Sequence, residues 1–323
     1  MSLNDCAADL GRLEAHLTAD GSFSLHSLQF GEAFHNSAGA LNEANAKYVV
    51  PAQLERFQPE QTIAILDVCF GLGYNSAAVM DAMPVPPPSL RWWGLELDQR
   101  PLDLALEQPT FQQNWSTSVL KRLRSLQNNG GWWENSSQGW LIWGDARKTL
   151  VSIPANQNFD LILLDAFSPQ RCPQLWSEEF LAALAERLKP GGRLITYSRS
   201  AAIRASLQRA GLQLFSLMAA PGERLGWSSG TMAVQRAGEG CPMNGAGWRP
   251  LSAMELEHLS TRAAVPFRDS SGTGTTDEIL RRRKLEQGCC DLEPTNSWQR
   301  RWGLLKSKQA KMSTRSKHES INT

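Results

Sequence analysis

The sequence predicts an α/β protein built on a doubly wound, mostly parallel β-sheet. Short apolar runs rich in β-branched residues alternate with stretches of helical character from Thr62 to Arg236. This alternation is typical of parallel strands joined by crossover helices. Acidic residues lie at the ends of several runs, and such a sheet binds its ligand beyond the carboxyl ends of its strands. We therefore expect these acids to mark the functional site.

The strand predictions rest on short apolar runs bounded by polar or turn-forming residues. An alternating piece, SFSLH, precedes them in an N-terminal region of mixed character. The predicted strands are TIAILDV (62–68), SLRWWGLELD (89–98), GWLIWGD (139–145), FDLILLDAF (159–167), GRLITYS (192–198), and two late strands in LQLFSLMA (212–219) and TMAVQR (231–236).

The helix predictions rest on amphipathic spacing and on end signals. Ser177 is the expected N-cap of the helix after the fourth strand, and Pro190-Gly191-Gly192 is its expected stop. The predicted helices lie around Glu43 to Val50, after the glycine turn of GLGYNSAAVMDAM (71–83), in PLDLALEQ (101–108), in SEEFLAALAERLKPGG (177–192), in RSAAIRASLQRAG (199–211), and within DSSGTGTTDEILRRRKLEQ (269–287).

The composition indicates a water-soluble globular protein. Hydrophobic residues make up 41% and charged residues 20% of the 323 residues. No apolar run approaches the roughly 20 residues of a membrane span, and no signal peptide is visible at the start. We expect a cytoplasmic protein without a membrane partner. The six cysteines follow no zinc spacing, so we expect reduced thiols and no metal site.

The charge is distributed unevenly along the chain. Residues 1–280 carry 22 Lys and Arg against 28 Asp and Glu, whereas residues 281–323 carry 11 against 4. A basic C-terminal part suggests an anionic partner, of which nucleic acid is the usual one. RRRK (281–284), QRRW (299–302), Trp298 and Trp302 are candidates for RNA contact. The alternative is a solvated, disordered C-terminus, predicted above all for KSKQAKMSTRSKHESINT (306–323).

A glycine turn follows the first strand in DVCFGLGYN (67–75). Gly71 and Gly73 allow the backbone to approach a ligand closely. The turn lacks the third glycine of a dinucleotide fingerprint and the lysine of a P-loop, which disfavours NAD, FAD and nucleoside triphosphates. Asp67 before the turn and Asn75 after it complete the candidate cofactor loop.

Two further acids follow in order. Glu96 ends the second strand, and Asp145, followed by Ala146, comes after the third. This order of acids is typical of S-adenosylmethionine-dependent methyltransferases of the Rossmann-like class I fold. Glu96 would accept hydrogen bonds from the ribose hydroxyls, and Asp145 one from the adenine amino group. The alternatives are a solvated strand end for Glu96 and a helix N-cap for Asp145.

With these motifs, the sequence resembles the family of methyltransferases that form 5-methylaminomethyl(-2-thio)uridine at the wobble position of tRNA. The resemblance covers about residues 20–236. One departure is Cys69, where the family loop Gly-Phe-Gly-Thr-Gly-Leu-Asn begins with glycine. The motifs that carry the resemblance are FHNSAGALNEANAKYV (34–49), DVCFGLGYN (67–75), GLELD (94–98), GDARKTL (144–150) and LDAFSPQRCPQLW (164–176).

The resemblance implies transfer of a methyl group from S-adenosylmethionine to a primary amine on C5 of the uracil, with tRNA as partner. In some bacteria this activity is one half of a bifunctional protein, and we expect here a methyltransferase without the oxidase half. Asp165, at the end of the fourth strand, is the expected catalytic residue, because a carboxylate would bind the amine and take its proton. The expected substrate-binding residues are Glu43, Tyr48, Phe167, Pro169 and Trp176.

Other roles stay open at this point. Asp165 could act as the base or only position the amine, and its structural alternative is a cap of the next turn. Glu43 and Tyr48 could instead tie the N-terminal segment to the domain. For Phe167, Pro169 and Trp176 the alternative is ordinary packing, which is the better one for Trp176. Arg199 and Arg204 are candidates for phosphate contact, against a solvated helix face. We expect an N-terminal extension (1–58) contributing to the substrate pocket, a methyltransferase domain (59–238) and a C-terminal extension (239–323) with a basic tail.

Two other functions compete with tRNA methylation. An aminopropyltransferase of the spermidine synthase type uses a similar sheet, but its Asp-Ser-Ser/Thr-Asp-Pro run is replaced here by Asp165-Ala166-Phe167-Ser168-Pro169. A non-catalytic RNA-binding protein could also retain the fold, although the kept glycines and acids speak against it.

Overall fold

A computed structural model describes residues 10–219, 226–236 and 244–304. Two sheets organise the described chain. A small antiparallel sheet of order β1-β2-β3 precedes a nine-stranded sheet of order β12-β10-β11-β9-β8-β4-β5-β7-β6. The strands are β1 (Leu13–Leu17), β2 (Phe23–Ser27), β3 (Glu32–Ala33), β4 (Thr62–Val68), β5 (Ser89–Glu96), β6 (Gly131–Glu134), β7 (Ser137–Trp143), β8 (Phe159–Leu164), β9 (Leu188–Thr196), β10 (Gln213–Leu217), β11 (Gly230–Val234) and β12 (Trp248–Pro250).

Helices connect the strands and pack on both faces of the large sheet. They are α1 (Ala40–Ala44), α2 (Val50–Ala52), α3 (Tyr74–Asp81), α4 (Arg100–Glu107), α5 (Pro109–Gln112), α6 (Thr117–Asn129), α7 (Ala146–Thr149), α8 (Glu178–Glu186), α9 (Ala201–Arg209), α10 (Ala253–His258), α11 (Thr276–Cys289) and α12 (Thr295–Arg301). A π-helical turn (Asn45–Val49) joins α1 to α2, and 3₁₀ turns occur at Leu54–Arg56, Leu150–Ser152, Pro173–Trp176 and Arg262–Ala264. No helix of the described residues is long and apolar enough to cross a membrane.

The centre of the large sheet is parallel, as the sequence predicts. β9, β8, β4, β5 and β7 run in one direction, while β6 and the three late strands β10 to β12 are antiparallel to their neighbours. Burial on both faces explains why β4, β5 and β8 read as nearly continuous apolar runs. The doubly wound α/β class is thereby confirmed, and β4 has the predicted bounds.

Two apolar clusters fill the two faces of this sheet. The first joins α3, α4 and α6 to one face, and the second joins α7, α8, α9 and α11 to the other. Fully buried aromatics such as Trp92 and Trp176 anchor them. From β4 the sheet continues through β5 on one side and through β8 on the other, so its strand order reverses at β4. The carboxyl ends of β4, β5 and β8 therefore border a crevice.

The predicted end of the helix after β8 is wrong. Ser177 is the N-cap, accepting a hydrogen bond from the Phe180 N–H, but α8 ends at Glu186. Pro190, Gly191 and Gly192 lie within β9, whose pairing with β8 shifts register between Phe159 and Leu161. A strand can accommodate a proline and two glycines at such an irregular stretch, whereas the same residues would stop a helix.

For Arg204, both the candidate phosphate contact and its alternative, a solvated helix face, are wrong. Its side chain is fully buried and ion-paired with Glu255 at 2.9 Å. Trp298 cannot stack on a base, since it is buried and lies 4.1 Å from the ring of His258. Arg199 is exposed but donates to the Ser228 carbonyl at 2.9 Å. The helix period alone does not reveal that later elements cover these positions.

The described part of the C-terminal region packs onto the sheet. Trp248–Pro250 pairs with β10, and three helices follow. The segment predicted as an extension therefore contributes a strand to the main sheet. The tail predicted to be disordered, 306–323, lies outside the described residues.

Candidate active site

A cavity of about 590 Å³ opens at the carboxyl ends of β4, β5 and β8, a size usual for small-molecule sites. The small N-terminal sheet and the segment after it cover it. Its lining residues are Leu10, Leu13, Ser27, Gln29, Phe30, Glu32 to Ala38, Glu43, Lys47, Cys69, Gly71, Glu96 to Asp98, Asp165 to Ser168, Cys172, Leu175 and Tyr197. Of the predicted site residues, the cavity brings together Glu43, Gly71, Glu96, Asp165 and Phe167.

The glycine loop and Glu96 form one end of the cavity. The Glu96 carboxylate accepts hydrogen bonds from the Gly71 N–H at 2.8 Å, the Leu97 N–H at 2.6 Å and the Asp98 N–H at 2.9 Å. Burial raises the pKa of Glu96 in spite of these bonds. Gly71 has φ +57°, and a Cβ added to Gly73 would lie 2.8 Å from the Phe70 ring. Both glycines are therefore required by the local geometry.

Asp67 lies beneath this loop rather than in the cavity wall. It is fully buried, and its Oδ2 accepts a hydrogen bond from Ser76 at 2.6 Å. Ser76 in turn accepts one from the Trp92 indole at 2.7 Å. The other oxygen of Asp67 has no partner among the described residues, and burial raises the pKa of Asp67 to about 7. From this position Asp67 can support the glycine loop from below. The predicted contact of Asp67 with the cofactor stays a prediction.

Asp145 caps α7. Its carboxylate accepts a hydrogen bond from the backbone N–H of Arg147 at 3.0 Å and forms an ion pair with the Arg147 guanidinium at 2.6 Å. Arg147 also binds Asp269 at 2.6 Å. Neither Asp145 nor Ala146 lines the cavity, so the helix cap that the sequence left as the alternative is the arrangement present. An adenine contact by Asp145 stays a prediction.

Asp165 lies directly after β8 at the other end of the cavity. Its Oδ2 accepts a hydrogen bond from the Asn75 side chain at 2.7 Å. Burial, followed by the charge of Glu43, raises the pKa of Asp165 to about 6, although Asn75, Tyr48 and Lys47 lower it. Asn75, predicted to bind the cofactor, thus holds the predicted catalytic carboxylate.

Tyr48 lies beside Asp165. Its hydroxyl is fully buried and makes no hydrogen bond of ordinary geometry with the described residues. Burial, followed by the charge of Asp165, raises the pKa of Tyr48. A hydroxyl in this position is a donor available to the carboxylate or to a bound ligand.

Glu43 and Lys47 form an ion pair in the cavity wall at 2.7 Å, and both side chains are largely buried. Glu43 also accepts a hydrogen bond from the Asn36 N–H at 3.0 Å. Lys47 was missed in the sequence, although its spacing of four residues from Glu43 is that of a helical ion pair. The pair sets the charge that Asp165 experiences.

Three phenylalanines form the apolar wall. Phe30 stacks on Phe167 with ring centres 4.4 Å apart, and Phe34 meets Phe167 edge-on at 5.0 Å. Trp176 lies behind this wall, fully buried, with its indole N–H donating to the Phe167 carbonyl at 2.7 Å. Trp176 and Pro169 do not line the cavity, so the predicted contact of Trp176 with substrate is replaced by packing.

The N-terminal sheet is fastened to the loop after β8. Glu32 accepts hydrogen bonds from both the N–H and the hydroxyl of Ser168, the former at 2.8 Å. On the opposite side, the Tyr197 hydroxyl donates to the Ala166 carbonyl at 2.9 Å. Glu32, Phe30 and Phe34 were not singled out in the sequence, because nothing in β1 to β3 shows that they fold onto a distant loop.

Comparison with known proteins supports the resemblance seen in the sequence. A model described as S-adenosyl-L-methionine-dependent methyltransferase matches residues 110–227. The crystal structure of MnmC2 from Aquifex aeolicus shares the fold with a TM-score of 0.71 and 27% sequence identity, over 87% of this chain and 86% of that one. These matches support an MnmC-methyltransferase-like family member. The resemblance seen in the motifs is thereby confirmed.

Curated relatives within the MnmC group are longer proteins. The tRNA 5-methylaminomethyl-2-thiouridine biosynthesis bifunctional protein MnmC of Azoarcus sp. is 32% identical over 212 residues, 61% of this chain and 32% of that protein. The protein of the same name from Aromatoleum aromaticum is 29% identical over 61% of this chain and 32% of its own length. The chain thus spans about a third of the length of these relatives. An uncharacterized protein of Methanocaldococcus jannaschii is 25% identical over 84% of this chain and 72% of its length.

The protein is a methyltransferase that uses S-adenosylmethionine. The chemistry of the Glu96 end fits that molecule. A carboxylate offers about four acceptor positions, and Glu96 uses three on backbone N–H groups, so acceptor capacity remains for a ribose hydroxyl. The same three bonds hold Glu96 rigidly at the end of β5.

Proposed function

We propose that this protein methylates the 5-aminomethyl group of wobble uridine in tRNA, giving 5-methylaminomethyl(-2-thio)uridine. The observation that carries the proposal is a buried carboxylate, Asp165, that lines the same cavity as Gly71 and Glu96. A carboxylate at this point suits a cationic acceptor. The names of the MnmC relatives supply the identity of that acceptor.

The charges around Asp165 suit a primary ammonium group. Asp165 and Glu43 are two carboxylates against one cation, Lys47, so a bound ammonium would restore the balance. The aromatic wall of Phe30, Phe34 and Phe167 would contact the uracil, since an apolar face suits a base taken out of its stack.

The acceptor must lose a proton before it reacts. An alkyl ammonium titrates near 10.4, so most of it is protonated at neutral pH. With a pKa of about 6, Asp165 is a better matched proton acceptor than an ordinary aspartate, and it is still ionised above pH 6. Asn75 holds the carboxylate while the proton passes from nitrogen to its oxygen, and the Tyr48 hydroxyl beside it is a donor available to that carboxylate. Bound S-adenosylmethionine supplies the electrophilic methyl carbon, and S-adenosylhomocysteine is left after transfer.

The test is methyl transfer to defined tRNA. Purified protein is mixed with methyl-labelled S-adenosylmethionine and tRNA carrying 5-aminomethyluridine, and the digested nucleosides are separated. We expect label in 5-methylaminomethyluridine and none with the same tRNA lacking the aminomethyl group.

Two outcomes would count against the proposal. Absence of labelled nucleoside while the protein binds S-adenosylmethionine would rule out this substrate. Transfer of an aminopropyl group from decarboxylated S-adenosylmethionine to putrescine, in a parallel reaction, would instead support the aminopropyltransferase function.

A further inference from the structure

Arg171 is an exposed cation close to the cavity mouth. It lies in the loop that connects Phe167 and Ser168 to Cys172, all three of which line the cavity. Its guanidinium lies over Gly31, with 3.5 Å between Nη2 and the position of an added Cβ. The guanidinium makes no ion pair or hydrogen bond with the described residues. An exposed arginine without an ion-pair partner among the described residues, at the rim of the cavity, suits an anion that enters with the substrate.

The basic run RRRK (281–284) of α11 has one residue that points inward and three that face outward. Arg283 points inward, donating to the carbonyls of Val265 at 2.8 Å and Ala263 at 2.9 Å, with its guanidinium 4.4 Å from the Phe267 ring centre. The other three cations of the run are exposed and form no ion pair or hydrogen bond among the described residues. They are Arg281, Arg282 and Lys284.

Nearby carboxylates leave these outer cations partly uncompensated. Glu286 and Glu178 are paired with Arg268 at 2.9 and 2.6 Å. Glu278 is engaged in the capping box of α11, where its oxygens accept from the N–H and hydroxyl of Thr275. The charge of Glu278 still acts on Arg282 and Arg281, and the exposed Asp277 lies four residues before Arg281. Three outer cations against these two acids leave a small net positive charge on this part of α11.

The two cationic features belong to one side of the molecule. α11 packs on the Pro173–Trp176 turn, which follows Arg171 and Cys172 directly. Gln174 in that turn donates to the Thr276 hydroxyl at 2.9 Å, which fixes the start of α11 beside the loop. From there the helix rises about 1.5 Å per residue, so its outer cations continue away from the cavity.

We propose that Arg171 and the outer face of α11 form a phosphate track that binds the RNA backbone next to the modified nucleotide. This inference rests on the proposed function and adds to it the path of the RNA. The track begins at the cavity mouth, where the nucleotide enters, and uses cations that the fold leaves unpaired. Phosphate contacts of this kind give orientation and affinity without reading sequence.

The test is the salt dependence of tRNA binding, measured by fluorescence anisotropy with labelled tRNA between 50 and roughly 300 mM salt. The variant Arg281→Gln/Arg282→Gln/Lys284→Gln should bind about tenfold or more weakly at low salt. Its slope of log K against log [salt] should be smaller by about two, since each phosphate contact contributes roughly 0.7 to 0.9. Arg171→Gln alone should lower the slope by a little under one.

A matched control removes three exposed cations elsewhere. Arg91 lies near the opposite, amino-terminal end of β5, and Lys121 and Arg124 lie on α6, on the other face of the sheet. Arg91→Gln/Lys121→Gln/Arg124→Gln has the same change in net charge. It should retain the wild-type slope and the wild-type kcat/KM on tRNA.

A second measurement separates the track from the cavity. On a short oligonucleotide of a few nucleotides with 5-aminomethyluridine, the α11 triple variant should lose less kcat/KM than on tRNA, and the loss on tRNA should lie mainly in KM. Unchanged tRNA slopes in both track variants, or equal losses in the matched control, would overturn the track. If wild-type protein binds tRNA but methylates none, the proposed function fails while the slopes still report on the track.

Discussion

The carboxyl of Asp165 should control the pH dependence of the reaction. Burial and the charge of Glu43 raise its pKa to about 6, so the group is protonated below that pH and cannot take a proton from the amine. We expect kcat/KM to rise with pH up to about 6 and to level off above it, because the carboxylate is then ionised while the amine stays protonated until about pH 10. Asp165→Asn should lack the break and lose roughly 10²- to 10⁴-fold in kcat/KM, with little change in S-adenosylmethionine affinity.

This expectation has a matched control in Asp103→Asn, whose carboxylate contacts the Gln127 side chain on the α4–α6 face, away from the cavity. The profile of kcat/KM measured between pH 5 and 8.5 should still show the break near pH 6 in Asp103→Asn. A break near pH 6 that persists in Asp165→Asn would assign the titration to another group.

Cys69 adopts a backbone conformation that normally belongs to glycine. Its φ is +66°, in the left-handed region, and the resembled family has glycine at this position. A side chain there costs about 1–2 kcal/mol, partly offset by the greater chain entropy that glycine loses on folding. We expect Cys69→Gly to be more stable than Cys69→Ala by about 1 kcal/mol, measured by thermal unfolding. Equal stability of the two variants would show that the loop tolerates the conformation without strain.

Asp67 should make stability depend on pH with the opposite sign to a salt-bridged acid. Its pKa is raised from 3.8 to about 7 in the folded protein, mainly by burial, so the folded state holds the proton more tightly between these values. The free energy of unfolding therefore falls as pH rises from about 4 to 7. The side chain in Asp67→Asn cannot titrate, so this variant should not show that fall in the free energy of unfolding, which is on the order of a few kcal/mol. Urea unfolding at pH 4.5 and 7.5 measures it, and parallel losses in both proteins would contradict the assignment.

At the scale of elements, Glu32 joins the N-terminal sheet to the loop after β8. Its two hydrogen bonds to Ser168 hold the loop that carries Phe167 into the cavity. Glu32→Ala should speed amide hydrogen exchange in residues 166–172 and raise KM for tRNA several-fold, since each lost hydrogen bond costs about 1 kcal/mol. Glu14→Ala, on the exposed strand β1, serves as control. Unchanged exchange in the loop would mean that the phenylalanine stack alone holds it.

The elements predicted well from sequence are those whose local pattern and tertiary environment agree. β4 and β8 are buried on both faces, so an apolar run marks them, and Asp165, which follows β8, lines the cavity. Prediction failed where distant segments decide the outcome. Pro190 looks like a helix stop but lies in an irregular part of β9, and Arg204 looks solvent-exposed until Glu255 covers it.

The same distinction applies to the site. Gly71, Glu96 and Asp165 follow strand ends, and the sheet brings strand ends together whatever the loops do. Phe30 and Phe34 come from a separate small sheet, whose docking depends on Glu32 and Ser168, 136 residues apart in the chain. No local pattern in the sequence encodes such a contact.

At the scale of the whole molecule, one buried ion pair connects the sheet to the C-terminal helices. Arg204 on α9 and Glu255 on α10 are both fully buried, and Arg204 also donates to the Thr231 and Ser228 hydroxyls at 2.8 Å. Glu255 is further bound by Arg249 at 2.6 Å. Hydrogen bonds from Ser252 and Arg249 outweigh burial and lower the pKa of Glu255 to about 2. The stabilisation of the folded protein by the ionised Glu255 carboxylate is therefore present above pH 4.5 and is lost as pH falls towards 2.

Removing one partner of this pair should destabilise the whole fold, because Arg204 without Glu255 is a buried charge without its ion-pair partner, and Glu255 without Arg204 keeps only its pair with Arg249. We expect Glu255→Gln and Arg204→Met each to cost about 3–5 kcal/mol, measured by urea unfolding at pH 7. The double variant should be less destabilised than the sum of the two, since the charge then left without its partner is Arg249, which is partly exposed. Arg301→Gln, which breaks an exposed pair with Glu257, should cost less than about 1 kcal/mol. Additive losses in the double variant would show that the two side chains stabilise the protein through packing rather than through their charges.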